Sequence, residues 1–259
     1  MRKKILFISI SLAVCTIIGL AYGIHRYYVP PRLNQPYMIN ATSDDTLRIA
    51  FIGDSWAFMH KDHECTIATI LQDSIQKPVK VHSYGVCGLT SKEIYENIFG
   101  NNDFRLFLSK RRYKYCFVSA GINDTYMKMS TSYYQQSMNG IIQFLLTNNI
   151  HPILLEIPDY DINKSFNRQK KNRKMLRRLS MFINNTPMDC KQLFRDALYE
   201  LVGKNRYQDK VSIIRYKSWN NDYHYDQEHL YLKDGLHLSE HGYTILDSVI
   251  ANEILKCYR

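Results

Sequence analysis

The chain has 259 residues, 45% of them hydrophobic and 13% aromatic, which excludes wholesale disorder and suffices for one sizeable domain with a full core. Its formal charge of +10 draws it to anionic surfaces, and membranes and wall polymers offer these as readily as nucleic acid does. Charge alone therefore selects no partner.

Arg2, Lys3 and Lys4 precede "ILFISISLAVCTIIGLAY", residues 5–22, an uncharged run of 18 residues. As a helix it is about 27 Å long, close to a bilayer's hydrocarbon core. An uncleaved membrane anchor, a cleaved signal peptide and a lipoprotein signal all fit such a segment. Length favours the anchor, "GLAYG" supplies small residues for cleavage, and bulky Val14 before Cys15 argues against lipidation. As an anchor, residues 1–24 leave the first basic residues in the cytoplasm and export the rest to a bacterial cell envelope, although Arg26 and Arg32 weaken the charge asymmetry. Residues 25–46, with Pro30, Pro31 and Pro36 and little periodicity, read as a linker.

From Leu47 short apolar runs alternate with helical patterns. The strand-like runs are 47–53, 79–85, 113–121, 151–158 and 211–216; between them 64–75, 91–99, 132–149 and 190–203 carry helix-like apolar spacing. Such alternation implies a three-layer α/β domain over residues 47–259, a parallel sheet covered on both faces by right-handed crossovers. Residues 159–189 read as the one long irregular insertion. Within it "RQKKNRKMLRR", 168–178, is densely basic, while Leu176, Leu179 and Ile183 recur at helical spacing and predict one docked stripe with the rest exposed. The bland reading of Arg168–Arg178 is a solvated helix face; membrane phosphates or an acidic polymer are the functional ones, and nucleic-acid binding lacks an accompanying motif.

Five cysteines follow the N-terminal segment, Cys65, Cys87, Cys116, Cys190 and Cys257. An odd number cannot all pair internally, and no CxxC spacing supports a zinc or redox motif, so one or two disulfides stay open. Cys116, inside "YCFVSA", reads as a buried thiol.

The first strand pattern ends in "GDSW", where Ser55 is either a nucleophile or a helix cap. A nucleophilic serine needs a base, a group that orients the base, and donors for the oxyanion. "DGLH", residues 234–237, supplies a carboxylate three positions before a histidine, a spacing that lets Asp234 hold Nδ1–H while Nε2 of His237 faces the serine. "VCGLTS" (86–91) and "GIND" (121–124), each directly after a strand pattern, supply Gly88 with an unobstructed N–H and Asn123 with a side-chain amide. No P-loop, GxGxxG or GxSxG motif is present.

These four blocks, in this order, resemble the SGNH or GDSL-type hydrolases over about residues 47–256. The resemblance implies a flavodoxin-like sheet of about five parallel strands, catalysis by Ser55, Asp234 and His237, an oxyanion hole from Ser55, Gly88 and Asn123, and no metal or cofactor. Trp56 departs from the small aliphatic residue usual after the serine, and Gly85 is the alternative to Gly88. The expected activity is a membrane-anchored serine esterase that removes O-acyl groups, acetyl above all, from cell-surface or capsular carbohydrate. O-acyl transfer to a glycan, lipid ester hydrolysis and an idle glycan-binding domain are the competing functions. Asp54 reads as a buried structural carboxylate. Asn123 and Asp124 have the simple turn as their alternative role. His60, His63, His224 and His229 read as solvated loop histidines, and His241 as a cap or packing group. Trp219, Tyr223 and Tyr225 form either a sugar-stacking wall or core and rim packing.

Overall fold

The computed structural model describes residues 2–28, 44–100, 103–203, 207 and 209–258. The chain divides into two units, Met1–Arg32 and Leu33–Arg259. In the first, α1 (Arg2–Tyr28) is one continuous helix, and its stretch Lys3–Leu20 is long and apolar enough to cross a membrane, a test that a signal sequence also passes. Residues 25–28, expected to begin the linker, continue this helix. Residues 29–43 of the expected linker lie outside the described residues.

The second unit runs β1 (Leu47–Gly53), α2 (Ser55–Met59), α3 (Glu64–Ile75), β2 (Val79–Gly85), α4 (Ser91–Phe99), α5 (Asp103–Ser109), β3 (Tyr115–Ser119), α6 (Ile122–Met127), α7 (Thr131–Thr147), β4 (His151–Leu155), α8 (Ile162–Asn167), α9 (Lys171–Asn184), α10 (Lys191–Gly203), β5 (Ser212–Ile214), α11 (Tyr223–Leu230) and α12 (Glu240–Cys257). As the alternation predicts, the sheet has five parallel strands, in the order β2-β1-β3-β4-β5. Strands β1, β3 and β4 are buried along nearly their whole length because both faces are covered, whereas edge strand β2 leaves Lys80 exposed. Ala50, Ile52, Cys116 and Val118 face α4, α5, α7 and α10. Ile49, Phe51, Tyr115 and Phe117 face α2, α3 and α12.

The chain leaves β1 toward β2 on one side and returns to β3 on the other. Strand direction is shared, so the loops after β1 and β3 flank one crevice at this switch point, the place where open α/β sheets bind ligands. Register carries Gly53 opposite both Gly85 and Ser119 at that edge.

Three strands are shorter than their apolar runs, because burial of Ala120 and Ile157 continues past the ladder in loops. The expected irregular insertion instead holds α8 and α9. Asp161 caps α8, accepting the Lys164 N–H at 2.8 Å. The expected docking of the Leu176, Leu179 and Ile183 stripe is overturned, for all three are exposed and Arg177 is the buried residue of α9. The Arg177 guanidinium lies 4.2 Å from the Tyr126 ring centre and 5.0 Å from that of Phe166, an aromatic seat that offsets part of the cost of burying it.

Candidate active site

At Gly53, φ is +152° and an added Cβ would collide with the Ser119 carbonyl, so β1 can turn here only because no side chain is present. Asp54 follows, fully buried. Its Oδ1 accepts the Trp56 N–H at 3.0 Å and the Ser119 hydroxyl at 3.0 Å, so the carboxylate caps α2 and ties it to β3. Burial pushes this carboxyl up to about 6. With Asp54 serving as the cap, Ser55 becomes the first residue of α2.

The other end of the domain approaches through a loop closed by its own ladder. Tyr231 pairs with Leu238, the Leu232 N–H donates to the His237 carbonyl at 2.7 Å, and Gly235 at φ +68° makes the turn. The stretch is therefore a turn rather than a helix. Asp234 Oδ1 accepts the N–H groups of Leu236 and His237 at 2.9 and 3.0 Å, which leaves Oδ2 for the imidazole. That oxygen lies 2.6 Å from His237 Nδ1, and His237 Nε2 lies 2.9 Å from Ser55 Oγ. Partial burial works to raise the Asp234 carboxyl, but the bonds from His237 and the two backbone N–H groups outweigh it and hold the group below its ordinary value. The carboxylate is thus charged at neutral pH, as a group that steadies an imidazolium must be.

Gly88 sits on the exposed turn after β2 with φ +83°, and a Cβ there would meet open space. Gly85 instead presses against α2, where a Cβ would strike the backbone at Asp54 and Phe58. The Asn123 amide donates to the Leu89 carbonyl at 2.9 Å; an amide has two N–H bonds, so a second remains for another acceptor. Next to it, Asp124 is fully buried and accepts the Ser91 N–H at 2.8 Å and the Ser91 hydroxyl at 2.6 Å. Consecutive residues after β3 therefore hold the chain that leaves Gly88, at Leu89 and at Ser91. Burial raises the Asp124 carboxyl to about 6.

A cleft of about 450 Å³ adjoins this group, lined by Asn123, Asp234, Arg168, Lys170 and Arg173 among others, though not by Ser55 or His237 themselves. A larger one, about 900 Å³, lies beyond Tyr160 and Asp161 and does not contain Ser55 or His237. Its charges are largely paired, Arg195 with Asp159 and Lys191 with Asp189, each at 2.9 Å. Among the described residues no cluster of three or more His, Cys, Asp or Glu side chains is arranged to hold a metal ion.

Neither a family sequence model nor a curated protein matches the chain. Solved structures do. A GDSL-like lipase from Bacteroides thetaiotaomicron matches with a TM-score of 0.51 and 15% identity, over 81% of this chain and 88% of that one. A lipase/acylhydrolase from Enterococcus faecalis matches at 0.55 and 17%, over 80% and 95%. The acetyl xylan esterase AlAXEase matches at 0.53 and 14%, over 82% and 100%. The chain has the GDSL hydrolase fold. At such identities the likeness is one of fold.

In this GDSL fold Trp56 is fully buried, edge-on to Trp219 at 5.8 Å, with its carbonyl accepting the Tyr243 hydroxyl at 3.0 Å. The large residue after the serine is accommodated by a pocket under α2. Sequence reasoning missed what lies beside it. His60 is fully buried, with Nδ1 2.8 Å from Ser83 Oγ and Nε2 2.8 Å from Asp247 Oδ1. Burial pushes the Asp247 carboxyl up. The reading of His60 as a solvated loop residue is thus corrected: β2 and α12 close over it. His63 stacks on Tyr243 at 4.6 Å. His224 and His229 are exposed but on α11, and His241 is exposed in the first turn of α12, whose cap is Ser239. Trp219 and Tyr223 are buried, Tyr223 donating to the Gly235 carbonyl at 2.7 Å, while Tyr225 is exposed.

Proposed function

We propose that residues 47–259 form a serine ester hydrolase. The observation that carries it is the continuous chain of hydrogen bonds from Ser55 through His237 to Asp234 at the switch point of the sheet. His237 Nε2 takes the Ser55 proton as Oγ attacks the ester carbonyl, and Asp234 steadies the resulting imidazolium. The oxyanion is held by the N–H groups of Ser55 and Gly88 and the free amide hydrogen of Asn123. Collapse of the tetrahedral intermediate breaks the ester C–O bond, and His237 returns the proton to the leaving alcohol. Water then attacks the acyl-enzyme, His237 again takes a proton, and the acid leaves as Ser55 regains it.

The substrate we infer is an O-acyl, chiefly acetyl, ester of an anionic cell-surface or capsular carbohydrate. Arg168, Lys170 and Arg173 beside the cleft support an anionic substrate, and an acetyl xylan esterase shares the fold. Helix α1 serves as a single-pass anchor and residues 29–46 as a linker, holding the hydrolase domain outside the cytoplasm.

Ser55→Ala is the test. It lowers p-nitrophenyl acetate turnover by about 10⁴–10⁶ with the unfolding transition unchanged, since a triad acts as a unit. A fluorophosphonate labels Ser55 in the parent alone. Near-parental turnover by the variant refutes the hydrolase reading, and acetate release from acetylated polysaccharides of differing charge identifies the substrate.

A further inference from the structure

An amphipathic helix on a globular domain normally turns its apolar stripe inward. In α9 the arrangement is reversed. Met175, Leu176, Leu179, Phe182 and Ile183 are 71%, 60%, 51%, 84% and 61% exposed, while Arg177 on the opposite side is buried against Tyr126 and Phe166. The Asn184 amide, also on the inner side, donates to the Lys128 carbonyl at 2.7 Å. At about 100° per residue the five exposed apolar positions fall within a single arc of about 120°. Lys171 and Arg178 border this arc on one side and Arg173 on the other, all exposed.

Such a patch marks an interaction surface. A second copy of the chain is a poor occupant, because both margins of the arc are cationic and a contact between two such arcs would bring like charges together along its edges. An apolar stripe with cationic margins is complementary to a bilayer of anionic lipid, in which the apolar side chains enter the acyl boundary and the Lys and Arg heads stay among the phosphates. The chain also carries, in Lys3–Leu20, a helix apolar enough to cross a membrane.

We propose that α9 is an interfacial helix that docks the domain on anionic membrane through Met175, Leu176, Leu179, Phe182 and Ile183. The preceding residues Arg168 and Lys170, with Arg173 of α9, line the cleft beside Asp234, so docking sets the mouth of that cleft at the lipid headgroups.

The experiment uses the full chain carrying Phe182→Trp, reconstituted in vesicles of phosphatidylcholine alone or mixed with phosphatidylglycerol. Trp56 and Trp219 are buried, so the parent supplies the background. In the phosphatidylglycerol vesicles the introduced indole is quenched by bromine-labelled lipid, and acrylamide reaches it several-fold less than in phosphatidylcholine. Lys171→Glu combined with Arg178→Glu removes the protection, each surface cation being worth about fivefold in partitioning. Amide exchange across residues 171–184 of the unsubstituted chain, slower on the anionic vesicles, gives the same reading without any variant. Equal acrylamide access in the two compositions overturns the proposal. So does protection that rises with protein density and accompanies cross-linked pairs, which would make the occupant a second copy.

Discussion

Replacing His60 by alanine and, separately, His237 by alanine sets two Ser–His–Asp chains against each other. His60 and Asp247 are 0% exposed, and both imidazole nitrogens lie 2.8 Å from their partners. His60→Ala leaves the Asp247 carboxyl with no partner, opens a hole beside Phe51, whose ring centre is 4.2 Å away, and loosens α12 from β2. Breaking a buried pair in this way costs about 3–5 kcal/mol. At about 2–4 °C per kcal/mol for a domain of this size, the midpoint falls by roughly 10 °C. The His237 side chain is 24% exposed and that of Asp234 is 41% exposed, so water takes over for the lost imidazole and His237→Ala costs about 1 kcal/mol or less. Turnover behaves in the opposite sense: His237→Ala loses it, and His60→Ala retains a substantial part at temperatures below its own transition. Urea denaturation of both variants, with p-nitrophenyl acetate assays at 15–20 °C below the parental midpoint (roughly one transition width), separates the two roles. A His60→Ala protein as stable as the parent, or an equal stability loss at both histidines, refutes the reasoning.

Asn123→Ala lowers kcat by about 10²–10³ with little change in KM, through loss of an oxyanion donor and of the bond that steadies the Gly88 loop; steady-state kinetics showing an effect confined to KM contradict this role. Asp54, raised from 3.8 to about 6, binds its proton more tightly folded than unfolded, so its contribution favours the fold at low pH and is lost as pH rises through about 6. Asp54→Asn lacks that loss, and the stability difference between variant and parent therefore moves about 2 kcal/mol in the variant's favour from pH 4 to pH 7, whereas parallel denaturation profiles refute the assignment. Replacing Arg168, Lys170 and Arg173 together by Gln raises KM for an anionic acetylated polymer more than for a neutral ester and flattens its salt dependence. Equal changes for both substrates at every ionic strength refute an electrostatic role for these cations.

Much of the architecture was legible because periodicity and burial agree in it. The apolar runs at 47–53 and 79–85 and the helical patterns at 64–75 and 91–99 coincide with β1, β2, α3 and α4. Each packs its apolar residues where their spacing points, against a sheet that the βαβ rhythm requires. The candidate site is local in the same sense. Cap, turn and strand end lie within a few residues of Ser55, Gly88, Asn123 and His237, so short blocks carry their geometry. The Ser83, His60 and Asp247 cluster has no such mark, because residues separated by 187 positions meet only after α12 folds against β2. A lone histidine in "HKDHE" gives no sign that both of its nitrogens will find partners.

The failure at α9 has a different cause. Periodicity fixes which residues share a side of a helix, and the stripe of Leu176, Leu179 and Ile183 is correctly grouped by it. It does not fix which side turns inward. That depends on what the domain presents beneath the helix, and here the neighbours are Tyr126 and Phe166, two ring faces suited to a guanidinium. Seating Arg177 there leaves its three nitrogens without hydrogen-bond partners among the described residues, a cost that a leucine in the same place would avoid. A sequence free to optimise stability alone would exchange the two sides, burying the leucines and exposing the arginine. The exposed apolar arc is therefore maintained against local stability, which is the pattern expected of a surface with a partner of its own. Arg177→Leu puts this argument to a direct test. Removal of the unsatisfied buried cation raises the denaturation midpoint or leaves it unchanged, and leaves the arc available to lipid. A loss of several kcal/mol would instead make Arg177 a stabilising anchor and remove the thermodynamic case for an outward-facing stripe.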